Sequence, residues 1–343
     1  MVKKIIAAAL SCLMILSLFA TVGCEKTAKN RSYLIYGVFD TVCEYKDYSG
    51  ASPSEFEERC KRVEEELNLC HKLFDIYNDY EGIINLKTLN DNAGGEAIEV
   101  DRRIIEMLSL SEQMRDLSGG NFNVCMGSVL SIWHGYRKAA KDDPASAALP
   151  SYDELLAASE HTSAENLVIN SENSTVKLLD PEMSLDVGAI AKGYTAERVA
   201  DMLTDMGVTA YVLDFGGNIR VGEKLGGGEF TAGIRNPDLY SEEPYVRRLD
   251  IKNCSLVTSA VDQRFYTVGG VRYHHIIDKD TLMPENNYLS VSVMTESSAV
   301  ADALSTALFN MSVNEGQALI NMLSGVEVTY VLNDGSIKVI TTE

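Results

Sequence analysis

Apolar residues follow two regimes along the chain. In the first half they recur at helical steps. Phe56, Cys60, Val63, Leu67, Cys70 and Phe74 form one stripe, and Ser54 with Glu57 has the S-x-x-E spacing of a capping box, so a helix opening at Ser54 is expected. A second helix is expected from about Asp101 to Leu117, with Ile104, Ile105, Leu108 and Met114 inward and the Gly119-Gly120 pair as its stop. Ahead of both, "YLIYGVFDTVCEYKDY" reads as a strand. "KAAKDDPASAALPSYDELL" reads as a surface excursion, after which Ser151 and Glu154 restart a helix.

The second half is β-rich. "AYVLDF", "YVRRLDI", "SLVTSAV", "RFYTV", "VRYHHII", "YLSVSVMT" and "VEVTYVL" are short runs separated by turn residues, and Gly269-Gly270 suits a tight hairpin. Helices interrupt at Ala189 to Met206, Ser297 to Met311 and Glu315 to Leu323. Hairpin strands with segregated helices predict an α+β fold with antiparallel sheets. No internal repeat is visible.

Composition adds an address and excludes some partners. Lys3 and Lys4 precede an apolar run from Ile5 to Val22 that ends in "TVGC". That run is short for a membrane span, and small residues lead straight to Cys24. It resembles a bacterial lipoprotein signal. The expected parts are a signal peptide over 1–23, a lipidated Cys24 with a polar tether over 24–32, and one domain over 33–343. The expected location is outside the cytoplasmic membrane, anchored by lipid. With 30 Lys and Arg against 50 Asp and Glu, the net charge is −20. Such a chain opposes general nucleic-acid binding, so an anionic ligand needs local donors or a metal ion. Cys43, Cys60, Cys70, Cys125 and Cys254 are odd in number and widely spaced, which indicates neither a disulfide framework nor a zinc site.

Five patches could carry chemistry. In "LDVGAIAKGYTAERVADML", Gly188 and Gly193 bracket Lys192 at a helix start, where free N–H groups favour anions. Alternatively the glycines only permit close packing and Lys192 is solvated. "LDFGGNIRVG" turns at Gly216, Gly217 and Asn218, and "TSAVDQRFY" places Ser259, Asp262 and Arg264 at a strand end. "RYHHIIDKDTLMP" holds His274 and His275, which on a strand face opposite sides. In "SAVADALSTALFNM", Asp302 and Thr306 share one helix face with Ser305 beside them. Oxygen donors on a rigid element suit Mg²⁺, unless Asp302 lies on the wet side and Thr306 bonds back to its own helix. No Walker A loop, G-x-G-x-x-G, H-E-x-x-H or G-x-S-x-G is present.

Taken in this order, the patches resemble the FAD:protein FMN transferase family, also called the ApbE or flavin transferase family. The resemblance runs from "FDTVCEY" to "VTYVL" and is strongest between Ser184 and Met311. It implies a T-fold-like α+β architecture and a transferase that moves FMN from FAD onto a threonine of a partner protein, releasing AMP, with Mg²⁺ at the pyrophosphate. It implies metal ligation by the Ala189 carbonyl, Asp302, Thr306 and, in some members, Ser305. FAD contacts are implied for Asp186, Lys192 and Ile277, and His275 is the catalytic candidate. Phe39, Tyr77 and Asn121-Phe122-Asn123 fall where relatives line the flavin and adenine ends, and Gly217, Asn218 and Ser259 join the cofactor-binding set. Relatives usually show Met-Gly at Phe39-Asp40, aspartate at Asn123 and Ser-Gly at Ser259-Ala260. The implied partners are flavoproteins of membrane redox complexes or secreted reductases carrying a Ser/Thr-Gly-Ala-Ser/Thr-like motif. Rival readings are a Mg²⁺-dependent FAD pyrophosphatase, a non-catalytic FAD-binding surface lipoprotein and a transporter's solute-binding component, the last weakened by the absence of two similar lobes.

Overall fold

The computed structural model describes residues 30–238 and 240–342. The expected signal segment and Cys24 lie outside the described residues. An eight-stranded antiparallel sheet is the frame, in the order β1 (Arg31–Val38), β2 (Thr41–Asp47), β6 (Tyr211–Phe215), β7 (Asn218–Val221), β10 (Cys254–Ala260), β13 (Tyr288–Thr295), β14 (Glu327–Leu332) and β15 (Ile337–Thr341). Three helices layer onto it. Helix α7 (Ser298–Phe309) lies over β10 and β13, α6 (Ala191–Asp205) runs beside it, and α1 (Pro53–Phe74) packs between α6 and β1.

Alternation along β10 shows why the sheet needs covering on both sides. Val257 belongs to the main core, whereas its neighbour Leu256 packs with Phe230, Ala232 and Ile251 under the hairpin of β8 (Phe230–Arg235) and β9 (Tyr245–Ile251). Successive strand residues face opposite ways, so each face has its own apolar cover. The remaining strands form smaller sheets: β3 (Ile98–Glu99), β5 (Thr175–Leu178) and β4 (Leu167–Asn170) in one, β11 (Tyr266–Val268) and β12 (Val271–Tyr273) in another. The antiparallel α+β expectation therefore holds. Among the described residues no helix is long and apolar enough to cross a membrane.

Several boundaries differ from the sequence reading, each for a local reason. Helix α1 starts two residues early, because Ser52 is the cap, Pro53 takes the first helical position and Glu55 closes the box. "YLIYGVFDTVCEYKDY" is two strands, and its two-residue turn is Phe39-Asp40, both at positive φ. That turn was hidden because neither residue is a glycine or asparagine. Helix α3 (Arg102–Leu117) ends at the predicted glycines, and α5 (Tyr152–Ser159) is capped by Ser151 as expected.

Helix α4 (Gly127–Asp142) was not anticipated and takes in part of the expected surface excursion. Gly135 weakens its intrinsic propensity, but Trp133 is buried and donates its Nε1–H to the Leu282 carbonyl at 3.0 Å. Here tertiary burial overrides local preference. The "VRYHHII" strand also ends early, at Tyr273, so both histidines sit in the connection that follows.

Helix α7 is almost wholly buried, and Phe309 at its end is fully enclosed, edge-on to His274 and to Tyr288. Replacing Phe309 with Ala should cost about 3–5 kcal/mol, read as a lower midpoint in chemical unfolding.

Candidate active site

The site forms where α6 begins beside the middle of α7. Ala301, Ala303, Leu304, Ala307 and Leu308 bury α7, and the same burial carries Asp302 inward to 4% exposure. The inward alternative is therefore the correct one for Asp302. It is tolerated because Oδ2 accepts the Gly193 N–H at 2.8 Å while Oδ1 lies 3.6 Å from Lys192 Nζ. Gly193 is required sterically, since a Cβ there would stand 2.4 Å from the Ser298 carbonyl and 2.6 Å from Asp302 Cβ. So the glycine permits close packing and also serves the site, and Lys192 is not simply solvated.

Gly193 is the third residue of α6, so its N–H has no acceptor within the helix and Asp302 supplies one, while no hydrogen bond among the described residues ends on the Ala189 carbonyl just before the cap. Ser259 Oγ lies 2.8 Å from Ser305 Oγ and 3.5 Å from Thr306 Oγ1, so β10 and α7 place three hydroxyls together. Ser305 also donates to the Asp302 carbonyl. Behind them Asn218 is fully buried, its Oδ1 accepting from Ser298 while its amide group helps to hold down the Asp302 carboxyl.

Burial pushes the Asp302 carboxyl above its ordinary range, against the pull of Lys192 and the Gly193 N–H. A buried carboxylate that its neighbours only partly compensate, set among hydroxyls and an open carbonyl, is a donor set that fits a hard divalent cation. Among the described residues no three His, Cys, Asp or Glu side chains gather to form a complete chelate. An ion held here would take further ligands from water or a phosphate.

His275 carries the complementary feature. Its Nδ1 is buried without a partner. Burial holds the imidazole well below its usual pKa, reinforced by the charges of Arg264, Arg137, His274 and Lys192. His274 points elsewhere, with Nδ1 accepting the Ile276 N–H and its ring against Phe309. The expectation that the two rings diverge is met, although the segment is not a strand.

At the rim, Tyr77 is 54% exposed yet fixed in orientation. Its backbone N–H bonds to buried Asp75, and its hydroxyl pairs with His134 of α4 in an edge-on arrangement. Arg264 donates to the Phe39 carbonyl, and Asp186 accepts the Gly188 N–H while its own N–H bonds to Val124.

Other candidates are placed differently. Phe122 and Ile277 are buried, in the main core and in the cluster of Trp133 and Tyr266 respectively. Asn121 bonds to the Ser118 carbonyl, and Asn123 caps Cys125 and reaches Thr162, so both side chains brace their loop. Gly217 shapes the turn before β7 at positive φ. His134 and Arg137 were missed. Their three-residue spacing in "HGYR" was the available signal, but it required knowing that α4 exists.

The fold and site together define an α+β protein with a buried carboxylate and a cluster of hydroxyls at a helix crossing. The ApbE family model matches residues 39–330, and the chain belongs to that family. The FAD:protein FMN transferase of Treponema pallidum (strain Nichols) is 30% identical over 336 residues, covering 92% of this chain and 89% of that protein. Among solved structures, the ApbE protein of Thermotoga maritima superposes with a TM-score of 0.78 at 24% identity, covering 92% of this chain and 97% of its own. The flavinyl transferase ApbE of Pseudomonas stutzeri, apo form, gives 0.74 at 22% identity, covering 92% and 95%.

Gly193→Ala should force α6 and α7 apart, costing about 1–3 kcal/mol in unfolding measurements. Gly207→Ala, a glycine at positive φ with open space around it, serves as the comparison that strains backbone without touching the crossing.

Proposed function

We propose that this protein is a Mg²⁺-dependent FAD:protein FMN transferase, moving FMN from FAD onto a threonine hydroxyl of an acceptor protein and releasing AMP. The observation that carries the reading is Asp302, a buried and only partly compensated carboxylate on the stretch of α7 whose Ser305 and Thr306 hydroxyls meet Ser259. Family membership and the name borne by the Treponema pallidum relative support the reaction class.

In the proposed step the threonine Oγ bonds to the FMN phosphorus while the bond from that phosphorus to the bridging oxygen breaks, and the electron pair leaves with AMP. His275 takes the threonine proton, a role open to it because burial and three neighbouring cations keep the imidazole neutral. Lys192 offsets part of the cost of bringing a doubly charged pyrophosphate to an acidic chain. Asp302, Ser305, Thr306 and the Ala189 carbonyl would hold Mg²⁺, which when bound neutralises charge on the pyrophosphate oxygens. Asp186 and exposed Tyr77 are the FAD contacts at the rim. A lipid on Cys24 would hold the enzyme outside the cytoplasmic membrane, where acceptor threonines of redox complexes or secreted reductases carrying the Ser/Thr-Gly-Ala-Ser/Thr-like motif are exposed.

The full-length protein incubated with FAD, Mg²⁺ and an acceptor domain should add the mass of FMN to the acceptor, with flavin fluorescence surviving a denaturing gel. Free FMN and AMP alone would instead identify a pyrophosphatase, and unchanged FAD a binding protein. Asp302→Ala should lower transfer by at least about 10²-fold; an undiminished rate would reject the cation site.

The pH profile follows from the sign of the His275 shift. A base works in its deprotonated form, and a depressed pKa keeps His275 deprotonated at pH values where an ordinary histidine would already be charged. In the free enzyme kcat/KM should therefore stay level as pH falls through 6.5, and decline only on the acid side of the usual histidine range. His275→Gln should remove that limb; a midpoint at or above the ordinary value would contradict the assigned environment.

A further inference from the structure

Most well-packed arginines of this acidic chain have a carboxylate. Arg59 pairs with Asp47, Arg103 and Arg198 with Glu66, and Arg247 with Glu327. Arg31 and Arg220 donate to carbonyls instead, and Arg137 and Arg264, which also lack a close carboxylate, stand next to each other. Arg137 Nη1 donates to the Arg264 carbonyl at 3.3 Å and, among the described residues, forms no ion pair. Arg264 Nη2 donates to the Phe39 carbonyl at 3.2 Å, and its nearest carboxylate, Asp40, is 4.0 Å away with a side chain 88% exposed.

These two guanidinium groups are close enough to disfavour each other. Burial and the charge of Arg264 together pull Arg137 below its ordinary value. Arg264 also holds a left-handed backbone conformation at φ +46°, and the turn it grips has φ +52° at Phe39 and +54° at Asp40. Non-glycine residues adopt such values at a cost, so three together at one rim are held by their surroundings. Both charges, with that of Lys192, bear on His275. In a chain with 50 acidic residues, two like charges kept together beside the candidate base mark a place for an anion from outside.

We propose that Arg137 and Arg264 are substrate-binding residues that jointly grip the phosphate chain of the flavin donor beside His275, where Asp40 and Asp186 offset their charge only in part. The proposal rests on the transferase reading for the identity of that donor. Planar guanidinium forks match phosphate oxygens in pairs, and Arg264 can keep its bond to Phe39 through one nitrogen while offering others. Binding would thereby tie the donor to the Phe39-Asp40 turn.

The test is FAD affinity of the full-length protein, followed by flavin fluorescence at low and high salt. In the wild type FAD should bind more weakly as salt rises. Arg137→Met and Arg264→Met should each weaken FAD about tenfold at low salt and flatten the salt dependence, with Arg137→Lys recovering part of both. If Arg264→Met fails to fold because the turn loosens, Arg137→Met still decides, since among the described residues its side chain gives up one hydrogen bond, to a carbonyl, and no ion pair. An Arg137→Met protein with wild-type affinity and an unchanged salt slope overturns the proposal. A wild type that binds FAD in this salt-sensitive way but transfers nothing would sink the transferase reading and leave the arginine pair standing.

Discussion

The crossing of α6 and α7 at Gly193 and Asp302 is the contact on which the site depends. A carboxylate cannot be buried cheaply, and here one N–H and one ammonium only partly meet its cost. The missing Cβ lets the N–H come close, and a first-turn N–H with no acceptor in its own helix meets the carboxylate. The hydroxyls of Ser259, Ser305 and Thr306 then complete an oxygen-lined wall without a second carboxylate.

The distribution of positive charge answers that wall. The chain is strongly acidic overall, yet Lys192, Arg137 and Arg264 surround His275. Placing cations beside a base lowers its proton affinity, which by itself weakens it. The arrangement makes chemical sense if an anionic ligand arrives between them, because its charge would then relax the constraint when the proton must move. Charge and geometry therefore point the same way, toward a phosphate-bearing substrate.

Local chemistry made much of the fold legible. The apolar stripes, the Gly119-Gly120 stop and the Ser151 cap are short-range signals, and the structure follows them. What stayed hidden depends on distant partners. The Phe39-Asp40 turn has no turn residue to announce it and is gripped by Arg264, 225 residues away. Helix α4 owes its Trp133 anchor to Leu282, 149 residues on. Short strands such as β3, β4 and β7 have too few residues for a periodic pattern and exist because a neighbour pairs with them.

The site divides in the same manner. Spacing alone put Asp302 and Thr306 on one face, but their direction was undecided until Gly193, 109 residues away, supplied the partner. Adjacent histidines could be separated by which way each must point, yet only packing shows that His274 is braced against the core while His275 keeps a buried Nδ1 without a partner. Phe122 and Ile277 lie within motifs that carry function and still serve by filling the core. A motif therefore marks a neighbourhood, and burial assigns the roles inside it. Where a polar atom is buried and unpartnered, as His275 Nδ1 is, the fold has accepted a cost that packing does not recover. The charges of Arg264, Arg137 and Lys192 bear on that same imidazole without neutralising it, and that imbalance is what an anionic substrate would correct.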